Sequence, residues 1–118
     1  SLKKLFKVCD IVSIHLSHSK NNNNIIDRKY FSIAKKNLIL INTSRGEVIN
    51  EIDLIHALNK DQLSAIGLDV YNNEPYSGGL IKFQNAILTP HIGSYSKEIR
   101  SAMEYEATLN LVKFFKGQ

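Results

Sequence analysis

The apolar positions of this chain fall into short runs separated by polar stretches, and the spacing within each run alternates between two kinds. Residues 10 to 16, Asp-Ile-Val-Ser-Ile-His-Leu, are β-branched and almost continuously apolar, the pattern of a strand buried on both faces. From Asp27 to Lys36 the residues Tyr30, Phe31, Ile33 and Ala34 recur at helical spacings, with Asp27 placed at the helix N-terminus and Asn37 placed to close it. Leu38-Ile39-Leu40-Ile41 is again a short buried strand. Asn50 then caps a helix with Ile52, Leu54, Ile55 and Leu58 as its apolar stripe, before the strand Ala65 to Val70 and a shorter one from Asn85 to Thr89. Ser96 opens a long helix in which Ile99, Met103, Ala107, Leu111 and Phe115 recur every four residues, a stripe expected to pack on the sheet. The Asn21 to Asn24 run between the first strand and first helix reads as a loop, because asparagine side chains compete with the backbone for hydrogen bonds.

Strands alternating with helices through short connections specify an α/β fold with a parallel sheet and flanking helices. Ligands of such sheets bind outside the carboxyl ends of the strands. Ser17 and the segments 42 to 46, 69 to 75 and 90 to 94 are therefore expected to share one crevice.

The composition sets bounds on this picture. The chain has 118 residues, 43% hydrophobic and 22% charged, which suits one globular domain able to bury a core without disulfides or a structural metal. Fifteen Lys and Arg against eleven Asp and Glu leave a charge of +4, but the basic residues are scattered and are not interleaved with aromatics, so nucleic acid is not the expected partner. The lone Cys9 excludes an internal disulfide and any CxxC motif, and is expected to be buried. No apolar run approaches the roughly 20 residues of a membrane span, no leader pattern opens the chain, and a cytoplasmic location without membrane contact is expected. The absence of an HExxH pattern or a Cys/His cluster argues against a metal, and His15, His18 and His56 take no ligand role.

The chemistry concentrates at the strand ends. Asn42-Thr43-Ser44-Arg45-Gly46 offers an arginine whose planar fork of donors suits a carboxylate. The next two strands end in Asp69, Tyr71, Glu74 and Pro75, and in Pro90-His91-Ile92-Gly93-Ser94. Arginine, histidine and carboxylate can share one reaction, in which the first anchors an anionic substrate, the second transfers a proton, and the third favours the charged imidazole.

Read together, Asn-Thr-Ser-Arg-Gly-Glu-Val-Ile at 42 to 49, Gly-Leu-Asp-Val-Tyr-Asn-Asn-Glu-Pro at 67 to 75 and Thr-Pro-His-Ile-Gly-Ser at 89 to 94 resemble the D-isomer-specific 2-hydroxyacid dehydrogenases over almost the whole chain. The resemblance implies a Rossmann-type sheet and a reversible hydride transfer between NAD, with NADP not excluded, and a small 2-keto or 2-hydroxy acid. In the matching roles Arg45 binds the substrate carboxylate, His91 is the acid/base and Glu74 orients and charges the imidazole. The implied cofactor contacts are His15, Leu16, Ser17, Thr43, Ser44, Arg45, Asp69 near the nicotinamide carboxamide, His91 and Gly93. Ser17 stands where the family commonly has proline.

No GxGxxG occurs in the sequence, nor does the acidic strand that would follow it. With Ser1 in place of an initiator Met, residues 1–118 are expected to be a fragment, the second half of an NAD(P)-binding domain, lacking the glycine-rich half and the separate substrate domain. The full-length protein is expected to be an active homodimer and the 118 residues alone inactive. The alternative is a catalytically silent nucleotide-sensing or protein-binding module of the same fold, against which the intact Arg45, Glu74 and His91 speak.

Overall fold

The computed structural model describes residues 1–117. Four strands, β1 (Ile11–Ile14), β2 (Ile39–Asn42), β3 (Ala65–Leu68) and β4 (Ala86–Leu88), form one all-parallel sheet in the order β1-β2-β3-β4. Parallel neighbours need a crossover between them. These are supplied by α2 (Arg28–Phe31), α3 (Glu51–Asn59) and a 3-10 turn at Gly79–Lys82, with α1 (Leu2–Val8) ahead of the sheet and α4 (Lys97–Phe115) after it. The register sets Val12 beside Leu40 and Leu40 beside Ile66, so the buried positions of adjacent strands lie in rows.

Those rows are buried on one face only, which corrects the expectation of strands covered on both. Val12, Ile14, Leu40, Ile66 and Leu68 join Phe6 of α1, Phe31 of α2 and Leu54, Ala57 and Leu58 of α3 in a single core. The alternate positions point to the other face, where Ile11 is 57% and Ile87 74% exposed. Side chains alternate across a strand, so the continuous apolar runs do supply two apolar faces, but α1, α2 and α3 contribute to the same core and leave the second open.

The long helix departs from expectation as well. None of its residues is buried. A repeat of four advances about 400° around a helix of 3.6 residues per turn, so the stripe from Ile99 to Phe115 drifts by about 160° and presents no single face to a sheet. The molecule is accordingly elongated, 56 × 31 × 24 Å, and its radius of gyration of 17.3 Å exceeds the roughly 13.5 Å of a compact domain of this length. No helix among the described residues is long and apolar enough to cross a membrane.

Three smaller differences have local causes. Helix α1 was not anticipated, although Leu2, Phe6 and Cys9 follow a helical spacing; Phe6 is fully buried against Tyr30 and Phe31, and Cys9 is half-buried beside the core. Helix α2 is one turn rather than the span 27 to 36, capped by Asp27 accepting from the Lys29 N–H, while the Lys35 N–H turns away to the Phe6 carbonyl. Within α3, Ile52 is 78% exposed, since two residues separate it from Leu54 by about 200°.

Candidate functional site

At the end of β2 a buried asparagine shapes the arginine loop. Asn42 is 1% exposed, and its Nδ2 donates to the Arg45 carbonyl at 2.8 Å while its Oδ1 accepts from the Ser44 N–H and hydroxyl at 3.0 and 2.8 Å. Both polar atoms of this buried amide thus have partners in the loop, and the backbone of 42 to 45 has its shape from them. Gly46 follows because the Tyr71 backbone passes so close that any Cβ there would collide with its carbonyl. The guanidinium of Arg45 donates from Nη1 to the Ser44 carbonyl at 2.6 Å and makes no ion pair among the described residues, which leaves most of its donors open to an anion.

At the end of β4 the chain makes a sharp turn. His91 takes a left-handed backbone, φ 55°, a conformation that costs a non-glycine residue about 1–2 kcal/mol. Asp69, at the end of β3, holds that turn: Oδ1 accepts from the Ile92 N–H at 2.9 Å and from the Thr89 hydroxyl, and Oδ2 accepts from the Gly93 N–H at 3.1 Å. Burial alone would push the Asp69 carboxyl up, but the Thr89, Ile92 and Gly93 donors and nearby His91 outweigh it and bring it below the ordinary 3.8.

Glu74 reaches the same turn from the other side. Its Oε2 lies 2.9 Å and its Oε1 3.1 Å from His91 Nδ1, and Oε1 also accepts from the Tyr71 N–H at 3.1 Å. The His91 hydrogen bond is the main reason the Glu74 carboxyl falls below its usual 4.5, against partial burial and with help from Tyr71. The two groups are half open to solvent, at 46% and 38% side-chain exposure, so a substrate has access to them.

The single crevice expected along this edge is divided into adjoining clefts. One of about 260 Å³ is lined by Arg45, Gly46, Glu47, Val70, Tyr71, Asn72, Glu74 and His91, and thus brings the arginine to the carboxylate–imidazole pair. A second, of about 450 Å³, is lined by His15, Leu16, Ser17, His18, Thr43, Ser44 and again Arg45. Asp69 and Thr43 border a third depression with Ile41, Gly67, Leu68, Ile87 and Thr89, and Gly93 is held beside it on Asp69. His15 bonds through Nε2 to the Ser13 hydroxyl at 2.8 Å, and His56 lies on α3 with its side chain away from the clefts' lining. The donor set of the second cleft, the exposed hydroxyls of Ser17 and Thr43 and an arginine at strand ends with no carboxylate, fits an anionic dinucleotide.

Residues 1–93 match the NAD-binding domain of the D-isomer specific 2-hydroxyacid dehydrogenases. The chain belongs to this family. It is 41% identical over 115 residues to a glyoxylate reductase of Thermococcus litoralis, covering 97% of this chain and 35% of that protein. It is 37% identical over 118 residues to a glycerate dehydrogenase of Cucumis sativus, covering 99% of this chain and 31% of that one. The crystal structure of D-lactate dehydrogenase with NAD+ from Lactobacillus jensenii superposes with a TM-score of 0.88 at 28% identity, over 100% of this chain and 40% of that one. The chain thus spans about a third of the length of the curated relatives it matches.

Within this chain three residues shape the site that the sequence pattern does not single out. Asn42 stands in a motif without a role, and its one signal is an amide closing an otherwise apolar strand. Tyr71 and Thr89 read as mere neighbours of the charged residues, yet Thr89 supplies a donor to Asp69 and its carbonyl to the Tyr71 hydroxyl. Nothing in spacing marks these contacts, since they join separate strands. The Asn21 to Asn24 run, expected as a plain loop, also touches both clefts: Asn22 Nδ2 donates at 3.0 Å to the carbonyl of Ser17 in the second, and the Asn24 N–H donates at 2.7 Å to the carbonyl of Glu47 in the first.

Proposed function

We propose that this chain is the catalytic half of the NAD(P)-binding domain of an enzyme that interconverts a small 2-keto acid and its D-2-hydroxy acid. The observation that carries the reading is the Glu74–His91 contact of 2.9 Å in a cleft shared with Arg45, which makes no ion pair among the described residues. Arg45 binds the substrate carboxylate through paired N–H donors and draws electron density from the adjacent carbonyl. Glu74 accepts from His91 Nδ1 and fixes the ring, which leaves Nε2 to give a proton to the carbonyl oxygen in reduction and take it from the hydroxyl in oxidation.

His15, Leu16, Ser17, Thr43, Ser44 and Arg45 would hold the cofactor in the second cleft, with Asp69, His91 and Gly93 at its nicotinamide end. When bound, NAD(H) supplies or accepts the hydride. The names of the relatives favour glyoxylate or hydroxypyruvate as substrates. The glycine-rich phosphate loop and the substrate domain are assigned to the remainder of a longer, homodimeric, cytoplasmic protein, since the six glycines here form no such loop.

The test is turnover. The complete polypeptide is mixed with NADH, then NADPH, and a panel of 2-keto acids, and absorbance at the reduced nicotinamide band is followed. Consumption that needs a 2-keto acid and yields the D-hydroxy acid supports the reading, and the 118 residues alone should give none at an enzymatic rate. Product of the L configuration, or no turnover by the complete protein on any acid of the panel, would overturn it.

A further inference from the structure

The cleft that joins Arg45, Glu74 and His91 is also lined by a buried tyrosine whose hydroxyl and N–H are both engaged by the loops around it. Tyr71 is 7% exposed. Its Oη lies 2.9 Å from the Leu68 carbonyl at the end of β3 and 2.9 Å from the Thr89 carbonyl at the end of β4. One hydroxyl proton serves both acceptors, so the phenol bridges the two strand ends from which the loops of Glu74 and His91 depart. Its own N–H donates to Glu74 Oε1 at 3.1 Å. The ring stacks on Tyr76 with centroids 4.3 Å apart, and Tyr76 is in turn fixed by donating to Glu51 Oε1 of α3 at 2.7 Å and accepting from the Leu80 N–H at 3.1 Å.

We propose that Tyr71 is a positioning residue that sets the Glu74 carboxylate on His91, with its hydroxyl fixing the separation of the two loops and its N–H fixing the carboxylate. Three arguments support this. A phenylalanine would fill the same core volume, so packing does not explain a hydroxyl placed within 2.9 Å of both the Leu68 and the Thr89 carbonyls. The phenol stays a donor over the working range of the protein, because burial, with Asp69 and Glu74 nearby, holds its ionisation above the ordinary 10. Finally, Glu74 has no other fixed partner than His91 and the Tyr71 N–H among the described residues, so without the latter the carboxylate would be free to turn on its long side chain. The inference rests on the reading of Glu74 and His91 as a working pair.

The experiment follows the Glu74 carboxyl by carbon NMR in the complete polypeptide as pH is lowered, in the unaltered protein, in Tyr71→Phe and in His91→Ala. The groups that face this carboxyl are His91, Asp69 and the Tyr71 N–H. In the unaltered chain its titration is expected below 4.5, and both variants should move it upward toward 4.5. If His91→Ala moves it while a folded Tyr71→Phe does not, the pair stands and the positioning role falls. If His91→Ala leaves it in place, the pair itself is refuted and the proposal with it. The Tyr71 amide proton gives a second measurement that needs no variant: its shift should change with the same midpoint as the Glu74 carboxyl, and an amide that ignores that titration overturns the proposal even if Tyr71→Phe fails to fold.

Discussion

Asp69 shows how one buried carboxylate can fix the backbone that carries an imidazole without a hydrogen bond to its ring. Its hydrogen bonds to Thr89, Ile92 and Gly93 hold the left-handed turn that carries His91. Bonds to a charged acceptor contribute about 1.5–3 kcal/mol each in favourable cases, so Asp69→Ala should lower stability by about 3 kcal/mol in urea unfolding and loosen residues 91–93. Asp69 and Glu74 both titrate lower in the folded chain than their ordinary 3.8 and 4.5. The stability they contribute is therefore complete above those values and is lost as pH falls through the depressed ones. Thermal melts should show no loss from these two groups between pH 7 and about 5, and a decline below about pH 4 that is smaller in Asp69→Asn. Arg45 offers a different test of the proposed activity: lysine keeps the charge but not the paired donors, so Arg45→Lys in the complete polypeptide should raise KM for the 2-keto acid by about tenfold, measured by steady-state kinetics.

The secondary-structure elements divide into those that a core holds and one that nothing holds. Helix α3 has a capping asparagine, Asn50 accepting from the Asp53 N–H at 3.0 Å, and three residues in the core, so Asn50→Ala should cost about 1 kcal/mol in urea unfolding. Helix α4 is capped by Ser96 and has one i,i+4 ion pair, Arg100 to Glu104, but no buried residue. Its amide protons should exchange far faster than those of α3, as hydrogen–deuterium exchange would show. Sequence spacing located the four strands, α3, the start of α4 and the loop residues at each strand end, because these depend on runs a few residues long. It misjudged what depends on partners. The opening helix is hard to see because only Phe6 commits it to the core, α2 reads too long because Lys35 is drawn to Phe6, and the stripe of α4 suggests a sheet it does not meet. The family motifs drew attention to Arg45, Glu74 and His91, whereas Tyr71 and Thr89 act across strands that no local pattern joins and Asn42 acts through side-chain bonds within its own loop that spacing does not mark.

As a whole, the molecule is a one-sided sheet. Its covered face carries the core, its C-terminal edge the clefts, and its second face a set of apolar side chains, among them Ile11 and Ile87, open to solvent. Apolar patches of this kind are rare on stable monomers, so the 118-residue chain should bind a hydrophobic dye such as ANS, and Ile87→Lys on that face should reduce the signal while leaving the circular dichroism unchanged. The same architecture explains how three loops from three parallel strands deliver an arginine, a carboxylate and an imidazole to one edge, where α/β sheets place their chemistry. That these three perform proton transfer and carboxylate binding for a nicotinamide-dependent reduction is the central claim. It is tested most directly by NADH consumption in the complete polypeptide with a 2-keto acid substrate, comparing the unaltered protein with His91→Ala. The account predicts turnover in the former and a loss in the latter of about 100-fold or more in kcat, as expected for removal of a general acid. A His91→Ala protein that turns over at the unaltered rate would contradict it.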